Sequence, residues 1–339
     1  MQEIAKKRLN SSEAQRLWED IIRLSKDAGL DQSWSVRAAI SCFFLTVALF
    51  SSYYLAWSST LSLTILYSAI ISVLLSQLAF LGHNAGHEAI SKKRHINKGF
   101  GQLCMTVLCG LAFEEWRDRH RAHHRFVQED EVDPDMVIGF VASVTTPSKK
   151  QKMLWAQKLG RYQHYYVWIL SLLFGHSQRL CSQWGAFRAI NRYRTDCAAV
   201  ILHYCLFLGL PLFLDISFSQ TLLVYLLPAT FLGPHLAAVF WVNHIGKPLV
   251  EKPCDLHPLE QQILTSRTIK NSPRLDWFFG GLNFQIEHHI FASIPSFRLR
   301  KMQRIIRPSL IASSLPYDCK SWPQAIVEVY HHFKAVARA

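Results

Sequence analysis

Histidines that could bind a metal ion are grouped at three places in the chain, and within each group their spacing fits one face of a helix. The groups are His83 and His87, then His120, His123 and His124, and finally His288 and His289, which follow Gln285. Residues three or four apart in a helix lie on the same face, about one turn from each other. Clustered neutral imidazoles suit a transition metal, and ligand type alone leaves iron, copper, nickel and zinc open.

A further donor is expected at His244, which follows Asn243 at the end of a long apolar run. The candidate histidines are then more numerous than a single metal ion needs, so the choice lies between two metal ions and one site with surplus ligands. The remaining histidines are expected to be ordinary packed or hydrogen-bonded side chains. They are His95, His164, His176, His203, His235, His257, His331 and His332.

The elements that must position these histidines are predicted to be membrane-spanning helices. Half of the 339 residues are hydrophobic, which is unusually apolar for a soluble domain of this size. Four apolar runs are long enough to cross a bilayer, at residues 36–57, 61–82, 197–214 and 221–242. Short connections join them as two hairpins. The stretches 100–113 and 165–175 are too short to span comfortably and are interpreted as interfacial or buried.

The positive charge is distributed as expected for a membrane protein. The formal net charge is +13, yet neither hairpin tip carries a Lys or Arg. This pattern predicts that both termini and all the histidine groups lie on the cytoplasmic face. The basic excess would then face anionic lipid, and no nucleic-acid partner is needed to explain it. The eight cysteines form no CxxC pair and indicate a reducing compartment, and no signal peptide is recognisable.

The predicted fold class is therefore an all-α integral membrane protein with about four transmembrane helices in two hairpins and a cytosolic helical cap that holds the site of one or two metal ions. Residues 1–35 are predicted to be a cytosolic segment with an amphipathic helix at 13–29, which either lies on the membrane or packs on the cytosolic part. Residues 36–305 would form the main domain, and residues 306–339 a cytosolic C-terminal tail.

The order HxxxH, HxxHH, QxxHH resembles the histidine boxes of the membrane fatty acid desaturases, and the flanking residues strengthen the resemblance. They are Asn97 after the first box, Trp116 and Asp133-Pro134-Asp135 around the second, and the segment 276–291 around the third. Gln285 is typical of the front-end subgroup, which inserts a double bond between an existing one and the carboxyl end. Asn84 departs from the family pattern, which commonly has Asp there. Ala292 stands where a proline usually follows the phenylalanine.

The resemblance implies a di-iron centre that uses O2 to desaturate an acyl chain carried as an acyl-lipid or acyl-CoA. The box histidines and His244 would bind the two iron ions, with Gln285 and Asn243 as weaker candidates. No heme motif of the cytochrome b5 type is recognisable in the chain, so electrons are expected from a separate ferredoxin or cytochrome b5. Each ligand histidine also needs a partner on its second ring nitrogen. The candidates are Glu88, Glu115, Asp118, Asp133, Asp135 and Glu287.

Two alternatives remain open at this stage. A related membrane di-iron hydroxylase or ketolase would use the same boxes on another lipid. A non-catalytic membrane metal-binding protein would bind the metal without O2-dependent turnover.

Overall fold

The computed structural model describes residues 9–130, 132–136, 142, 144, 159–250, 256–313 and 315–338. The described chain is almost entirely helical. Its helices are α1 (Ser11–Asp27), α2 (Ser35–Trp57), α3 (Leu61–Gly86), α4 (Arg94–Gly101), α5 (Phe113–Phe126), α6 (Gln163–Leu170), α7 (Phe174–Arg188), α8 (Arg194–Phe213), α9 (Phe218–His244), α10 (Pro258–Leu264), α11 (Pro273–Phe278), α12 (Gln285–Ile290), α13 (Leu299–Ala312) and α14 (Trp322–Val336). Two short parallel strands, β1 (Thr268–Ile269) and β2 (Cys319–Lys320), pair Thr268 with Cys319.

Four helices, α2, α3, α8 and α9, are long and apolar enough to cross a membrane. They match the four predicted apolar runs to within a few residues, which confirms the prediction of an all-α fold with about four spans. Large apolar side chains such as Phe44, Leu66 and Ile201 are exposed on these helices. Such exposure suits a lipid environment, since helices satisfy their backbone groups internally and need no water.

The remaining short apolar stretches take other forms. Residues 102–108 are a π-helical continuation of α4, and the break at 109–112 separates it from α5 at a sharp bend. That pair could count as a fifth, broken span by length and composition. The stretch 165–175 is divided among α6, a short 3-10 turn at Ser171–Leu173 and the start of α7, and it is not among the candidate spans.

By the density of its internal contacts the chain divides into two compact units. We call Ser33–Asp118 with Leu170–Ala237 the span unit. The histidine-rich unit comprises Met1–Gln32, Arg119–Ile169 and Ala238–Ala339. The boundaries fall between α1 and α2, within α5, at the end of α6 and within α9.

The two predicted hairpins of the span unit are joined at their tips. The Gln220 side chain, at the start of α9, donates to the carbonyl oxygen of Ala56 at 2.7 Å and to the Thr64 hydroxyl at 3.0 Å. Ala56 ends α2 and Thr64 begins α3, so one amide binds both helices of the first hairpin. The same unit has an apolar core in which Tyr53 and Phe207 pack with ring centroids 4.8 Å apart.

A buried polar network in the span unit supports the turn that leads into α5. Three carbonyls at this turn accept side-chain hydrogen bonds: Val107 from His203, Cys109 from Arg179 and Gly110 from Gln183. Gly110 has φ +76°, and a β-carbon there would lie 2.6 Å from the His203 ring. The turn therefore requires glycine. His203 also contacts the Tyr225 hydroxyl, as expected for a packed and hydrogen-bonded histidine.

In the histidine-rich unit, helix α1 is part of the core. Asn10 and Glu13 form a capping box at its N-terminus, and Ala14 and Ile21 on its apolar face are fully buried. This face packs with residues of α10, α12 and α13, which favours the packed alternative for the amphipathic helix over one lying on the membrane.

Residues 306–339, predicted as a tail, contribute β2 and α14 to this unit. Strand β2 pairs with β1, Tyr317 binds Glu287 in the third histidine group, and Asp318 binds Arg267. The boundaries proposed for the main domain stay a prediction.

Candidate metal centre

Helix α5 carries the second histidine group. Its start belongs to the span unit, where the Asp196 carboxylate accepts from the backbone N–H groups of Glu114 and Glu115 at 2.8 and 3.1 Å. This carboxylate satisfies amide groups that the first turn of a helix leaves free, and it lies where the helix dipole favours negative charge. One turn later, in the histidine-rich unit, the ring centroids of His120 and His124 are 4.7 Å apart.

Helix α12 carries the third group, and all six of its residues are buried. A tight turn precedes it, in which Gly281 has φ +85° and a β-carbon would lie 2.6 Å from the carbonyl oxygen of Ser296. The Asn283 side chain donates to Asp276 across the same turn at 3.0 Å. The segment ahead of the third group is therefore fixed in conformation and brings His288 and His289 into the core.

Three histidines from three different segments converge within the histidine-rich unit. The nearest ring nitrogens of His123 (α5), His244 (the end of α9) and His289 (α12) all lie within 4.8 Å of one another. The ring centroids are 4.9 Å apart for His123 and His244, and 4.8 Å apart for His244 and His289. We refer to these three residues as the first donor group.

Each ring of the first donor group is anchored through its Nδ1 atom. The acceptors are Asp133 for His123 (2.8 Å), the carbonyl of Thr265 for His244 (3.1 Å) and the Gln262 side chain for His289 (2.7 Å). A histidine that donates from Nδ1 presents a lone pair at Nε2, which is the arrangement that metal-binding histidines usually have. The group therefore has the tautomers that a metal centre requires.

The Nε2 atom of His289 is buried and has no hydrogen-bond partner among the described residues. Such orphaned polar atoms are costly unless something binds them, so this atom fits a ligand to a metal ion. Burial and the neighbouring imidazoles of His244 and His123 hold the pKa of His289 well below its ordinary value. The ring is therefore neutral, the form in which histidine coordinates a metal.

The other histidines of the unit lie beside this group. The Nε2 atoms of His120 and His124 are 3.2 Å apart, and His288 has a ring nitrogen within 4.8 Å of one on His120. Burial and nearby histidines also hold the pKa of His288 well below its ordinary value. The described part of the unit thus groups six imidazoles, more than a single tetrahedral metal site uses.

The first histidine group lies in the span unit, at the end of α3. His83 and His87 are one turn apart, with ring centroids separated by 4.7 Å, and the Trp116 ring lies against His83. Gly86 makes room for this tryptophan, since a β-carbon there would lie 2.8 Å from the Trp116 ring. Downstream, Asn97 binds the backbone of residues 90–93 and fixes the loop that follows the group.

Gln285 and Asn243 form a hydrogen-bonded chain that ends on a candidate ligand. Asn243 donates to the Gln285 side-chain oxygen at 3.1 Å, and the Gln285 amide nitrogen lies 2.9 Å from Nε2 of His244. Gln285 is therefore hydrogen-bonded to the ring nitrogen with which His244 would bind a metal ion. The side-chain oxygen of Asn243 is buried without a partner among the described residues.

The six acidic residues predicted to orient the histidines differ in the partners that they contact. Asp133 binds His123, and an oxygen of Asp135 lies 3.6 Å from Nδ1 of His120. Two others bind elsewhere: Asp118 contacts Arg192, Tyr193 and Arg117, and Glu287 accepts from Tyr317 at 2.6 Å and from Thr268 at 2.9 Å. Glu88 pairs with Arg94 at 3.5 Å, and the backbone of Glu115 binds Asp196.

Two residues that orient histidines were missed by the sequence analysis. Gln262 binds both His289 and the carbonyl of His124, and Thr265 acts through its backbone carbonyl. Both belong to α10 or its C-terminal end, a short helix without a recognisable motif. A backbone carbonyl leaves no sequence signal at all.

All the converging donors are imidazole nitrogen atoms, which suits iron, copper, nickel or zinc and disfavours magnesium or calcium.

Known proteins point to one family. The sequence profile described as fatty acid desaturase matches residues 55–321. Fatty acid desaturase 2-like protein FADS2B of Mus musculus is 30% identical over 285 residues, covering 83% of this chain and 58% of that protein. Delta(8)-fatty-acid desaturase 1 of Arabidopsis thaliana is 26% identical over 286 residues, covering 80% and 63%. Acyl-lipid (9-3)-desaturase of Physcomitrium patens is 24% identical over 332 residues, covering 94% and 61%. These matches thus span less than two thirds of each relative's length.

Proposed function

The chain belongs to the fatty acid desaturase family, and we propose that it is an O2-dependent desaturase that introduces a C=C bond into the acyl chain of an acyl-lipid or acyl-CoA. In the overall reaction the acyl chain loses two hydrogen atoms, a separate donor supplies two electrons, and O2 with two protons becomes two molecules of water. The donor would be a ferredoxin or a cytochrome b5. The front-end type of regioselectivity is proposed from Gln285 and from the names of the relatives.

The observation that carries the proposal is the first donor group, in which three histidines from distant segments converge with Nδ1 anchored, and Nε2 of His289 is buried without a partner among the described residues. We propose that this centre holds two iron ions, and that His120, His124 and His288 of the same unit contribute to the ligand set. His83 and His87 stay candidate ligands through the resemblance of their box to those of the family. Bound iron would supply the O2-activating chemistry that no side chain can. The chain's own residues bind the metal, fix the rings and keep the site dry. Asp133, Gln262 and the Thr265 carbonyl orient the rings of the first donor group.

The test is expression in a host supplied with candidate acyl lipids, followed by gas chromatography and mass spectrometry of the fatty acids. The wild-type chain is expected to give a product that has lost two hydrogens, and His289→Ala is expected to give none. His95→Ala removes an exposed histidine outside the three groups and serves as the matched control. A product that gains oxygen would indicate the hydroxylase or ketolase instead. Bound metal without any O2-dependent product, whichever donor is supplied, would indicate a non-catalytic metal-binding protein.

We further propose that the metal centre and both termini face the cytoplasm, as the charge asymmetry predicts. The hairpin tips at residues 58–60 and 215–217 would then lie on the opposite side. An N-glycosylation acceptor inserted at either tip is expected to be modified in a eukaryotic host, whereas one inserted beside Lys92 is expected to stay unmodified. Modification beside Lys92 but at neither tip would show that the topology is the inverse of the one proposed.

A further inference from the structure

The C-terminal end of α9 bears Asn243 and His244, and a buried arginine binds the backbone there. The last carbonyls of any helix have no partner within the helix and must be satisfied by other groups. The Arg267 guanidinium donates to the carbonyls of Val242 at 2.6 Å and of Ile245 at 3.4 Å, and its backbone N–H donates to that of Asn243 at 2.8 Å. One residue therefore binds the carbonyls on either side of His244.

The carbonyl of His244 itself is held by two other groups. The Gln128 side chain donates to it at 2.7 Å and the backbone N–H of Lys247 at 3.1 Å. Gly246, with φ +85°, turns the chain away after the helix and leaves space beside the guanidinium. The carbonyls of residues 242–245 thus all accept hydrogen bonds, and Arg267 donates to three of the four.

Arg267 is almost completely buried, with a relative exposure of 1%. A buried charge needs a counter-charge, and here the C-terminal segment supplies it. Asp318 lies 3.2 Å from Nε of Arg267, and Glu328 lies 2.7 Å from one of its terminal nitrogens. Lys247 also contacts Asp318, at 2.9 Å. The planar fork of an arginine can reach helix carbonyls and carboxylates together, whereas a lysine ammonium is a single point of charge.

We propose that Arg267 is a positioning residue for the metal centre, through which the acidic residues Asp318 and Glu328 of the C-terminal segment fix the placement of His244. The inference rests on the proposed metal centre. The chain from carboxylates to guanidinium to helix terminus lies wholly within the histidine-rich unit. The side chain of Arg267 binds backbone carbonyls and carboxylates, so its effect on the metal centre would pass through the backbone around His244. Replacing Arg267 should therefore weaken the binding of the metal ion that His244 holds and leave the binding of the second metal ion unchanged.

The experiment uses the full-length protein in detergent with Co2+ alone as the probe, because the visible d–d bands of cobalt report coordination number and geometry. Arg267→Lys keeps the charge but loses the fork, and Arg267→Gln loses both. Glu328→Gln leaves Arg267 in place and removes one counter-charge. Arg298→Lys is the matched control, since Arg298 also donates to two backbone carbonyls of the same unit, those of Leu30 and Gln32, but far along the chain from His244. The thermal unfolding midpoint is measured for each variant.

Both Arg267 variants are expected to bind one of the two cobalt ions about 10- to 100-fold more weakly and to change the d–d spectrum. Glu328→Gln should cause a smaller change of the same kind, and Arg298→Lys should leave the spectrum as in the wild type. A folded Arg267→Lys protein with wild-type cobalt binding and spectrum would overturn the inference. If neither Arg267 variant can be recovered folded, a wild-type spectrum in Glu328→Gln would overturn it instead. A wild-type protein that binds no cobalt or iron would overturn the proposed centre as well.

Discussion

The Nδ1 atom of His123 lies 2.8 Å from one carboxylate oxygen of Asp133 and 3.0 Å from the other. The same carboxylate accepts from the backbone N–H groups of Gln128 and Asp135, at 2.9 and 3.0 Å. One side chain thereby orders the loop after α5 and sets the tautomer of a histidine on that helix.

Replacing Asp133 is therefore expected to weaken metal binding without unfolding the protein. Asp133→Asn keeps the shape but removes the charge that makes His123 a stronger ligand, and metal affinity should fall about 10- to 100-fold. Iron per chain after dialysis against a graded chelator measures this. Asp130→Asn, an exposed carboxylate nearby in sequence, should behave as the wild type. Equal iron retention in both variants would contradict the role assigned to Asp133.

Gln285 and His289 should respond differently to removal. His289→Ala deletes a buried nitrogen of the first donor group, and we expect the loss of one metal ion per chain. Gln285→Ala deletes a neutral amide that is bonded to Asn243 and His244, and both metal ions should remain. Metal analysis by mass spectrometry separates the two outcomes. Loss of metal from Gln285→Ala would instead identify Gln285 as a ligand.

Much of the fold could be predicted because its signals are local. Apolar runs longer than 18 residues can hardly be anything but spans, and histidine spacing alone places His120 and His124 on one face. Glu287 and Asp118, predicted as partners of the ligand histidines, have other hydrogen-bond partners in the described part of the chain. Neighbours at i+1 and i+2 do not face each other on a helix, so Glu287 points away from His288 toward Tyr317, and Asp118 points away from His120 toward Arg192.

The contacts that complete the site depend on chain segments that no local pattern connects. Gln262 binds the carbonyl of His124 across a separation of 138 residues, and Arg267 binds Asp318 across 51. Such pairs follow from the packing of the whole unit.

The turn before α5 should tolerate no side chain at Gly110. Alanine there would combine a positive φ with a β-carbon 2.6 Å from the His203 ring. The strain is expected to cost about 1 to 3 kcal/mol, seen as a lower midpoint of thermal unfolding in detergent. Gly99→Ala in α4 is the control, since a β-carbon there has nothing within 4 Å. An unchanged midpoint in Gly110→Ala would show that the turn can rearrange.

Stability should fall at acidic pH through Asp318. Burial raises the pKa of this carboxyl, but Lys247, Arg267 and Lys320 outweigh burial and hold the pKa below its usual value. The folded state therefore binds the proton less readily than the unfolded chain. The stabilisation is complete above about pH 4, the ordinary carboxyl pKa, and is lost as pH falls through the lower folded value.

The unfolding midpoint of Asp318→Asn, measured between about pH 7 and pH 3, should accordingly be lower than the wild type at neutral pH and fall less steeply with acid. Asp20→Asn, an exposed carboxylate in α1, serves as the matched control and should keep the wild-type slope. If Asp318→Asn also keeps that slope, the ion pairs of Asp318 contribute nothing to folding.

Tyr317 should be needed for the buried carboxyl group of Glu287. Tyr317→Phe removes the hydroxyl that donates to Glu287 at 2.6 Å and leaves a fully buried acceptor with Thr268 as its remaining side-chain donor. The expected loss of stability is about 1 to 3 kcal/mol, measured by denaturant unfolding. Tyr54→Phe, on an exposed ring of α2, should cause no comparable loss. Similar values for the two variants would mean that Glu287 does not depend on this bond.

Helix α1 imposes an order on biosynthesis. The ribosome makes this helix before the four candidate spans, yet Glu260, which binds the backbone of Leu9, lies 251 residues later, and Arg298 lies 268 residues after Leu30. Until those residues emerge, the apolar face around Ile21 has no partner from its own unit, and a nascent chain with unburied apolar surface is prone to aggregate. The apolar face of α1 must therefore be protected while the spans insert, and the histidine-rich unit can complete its core only after them.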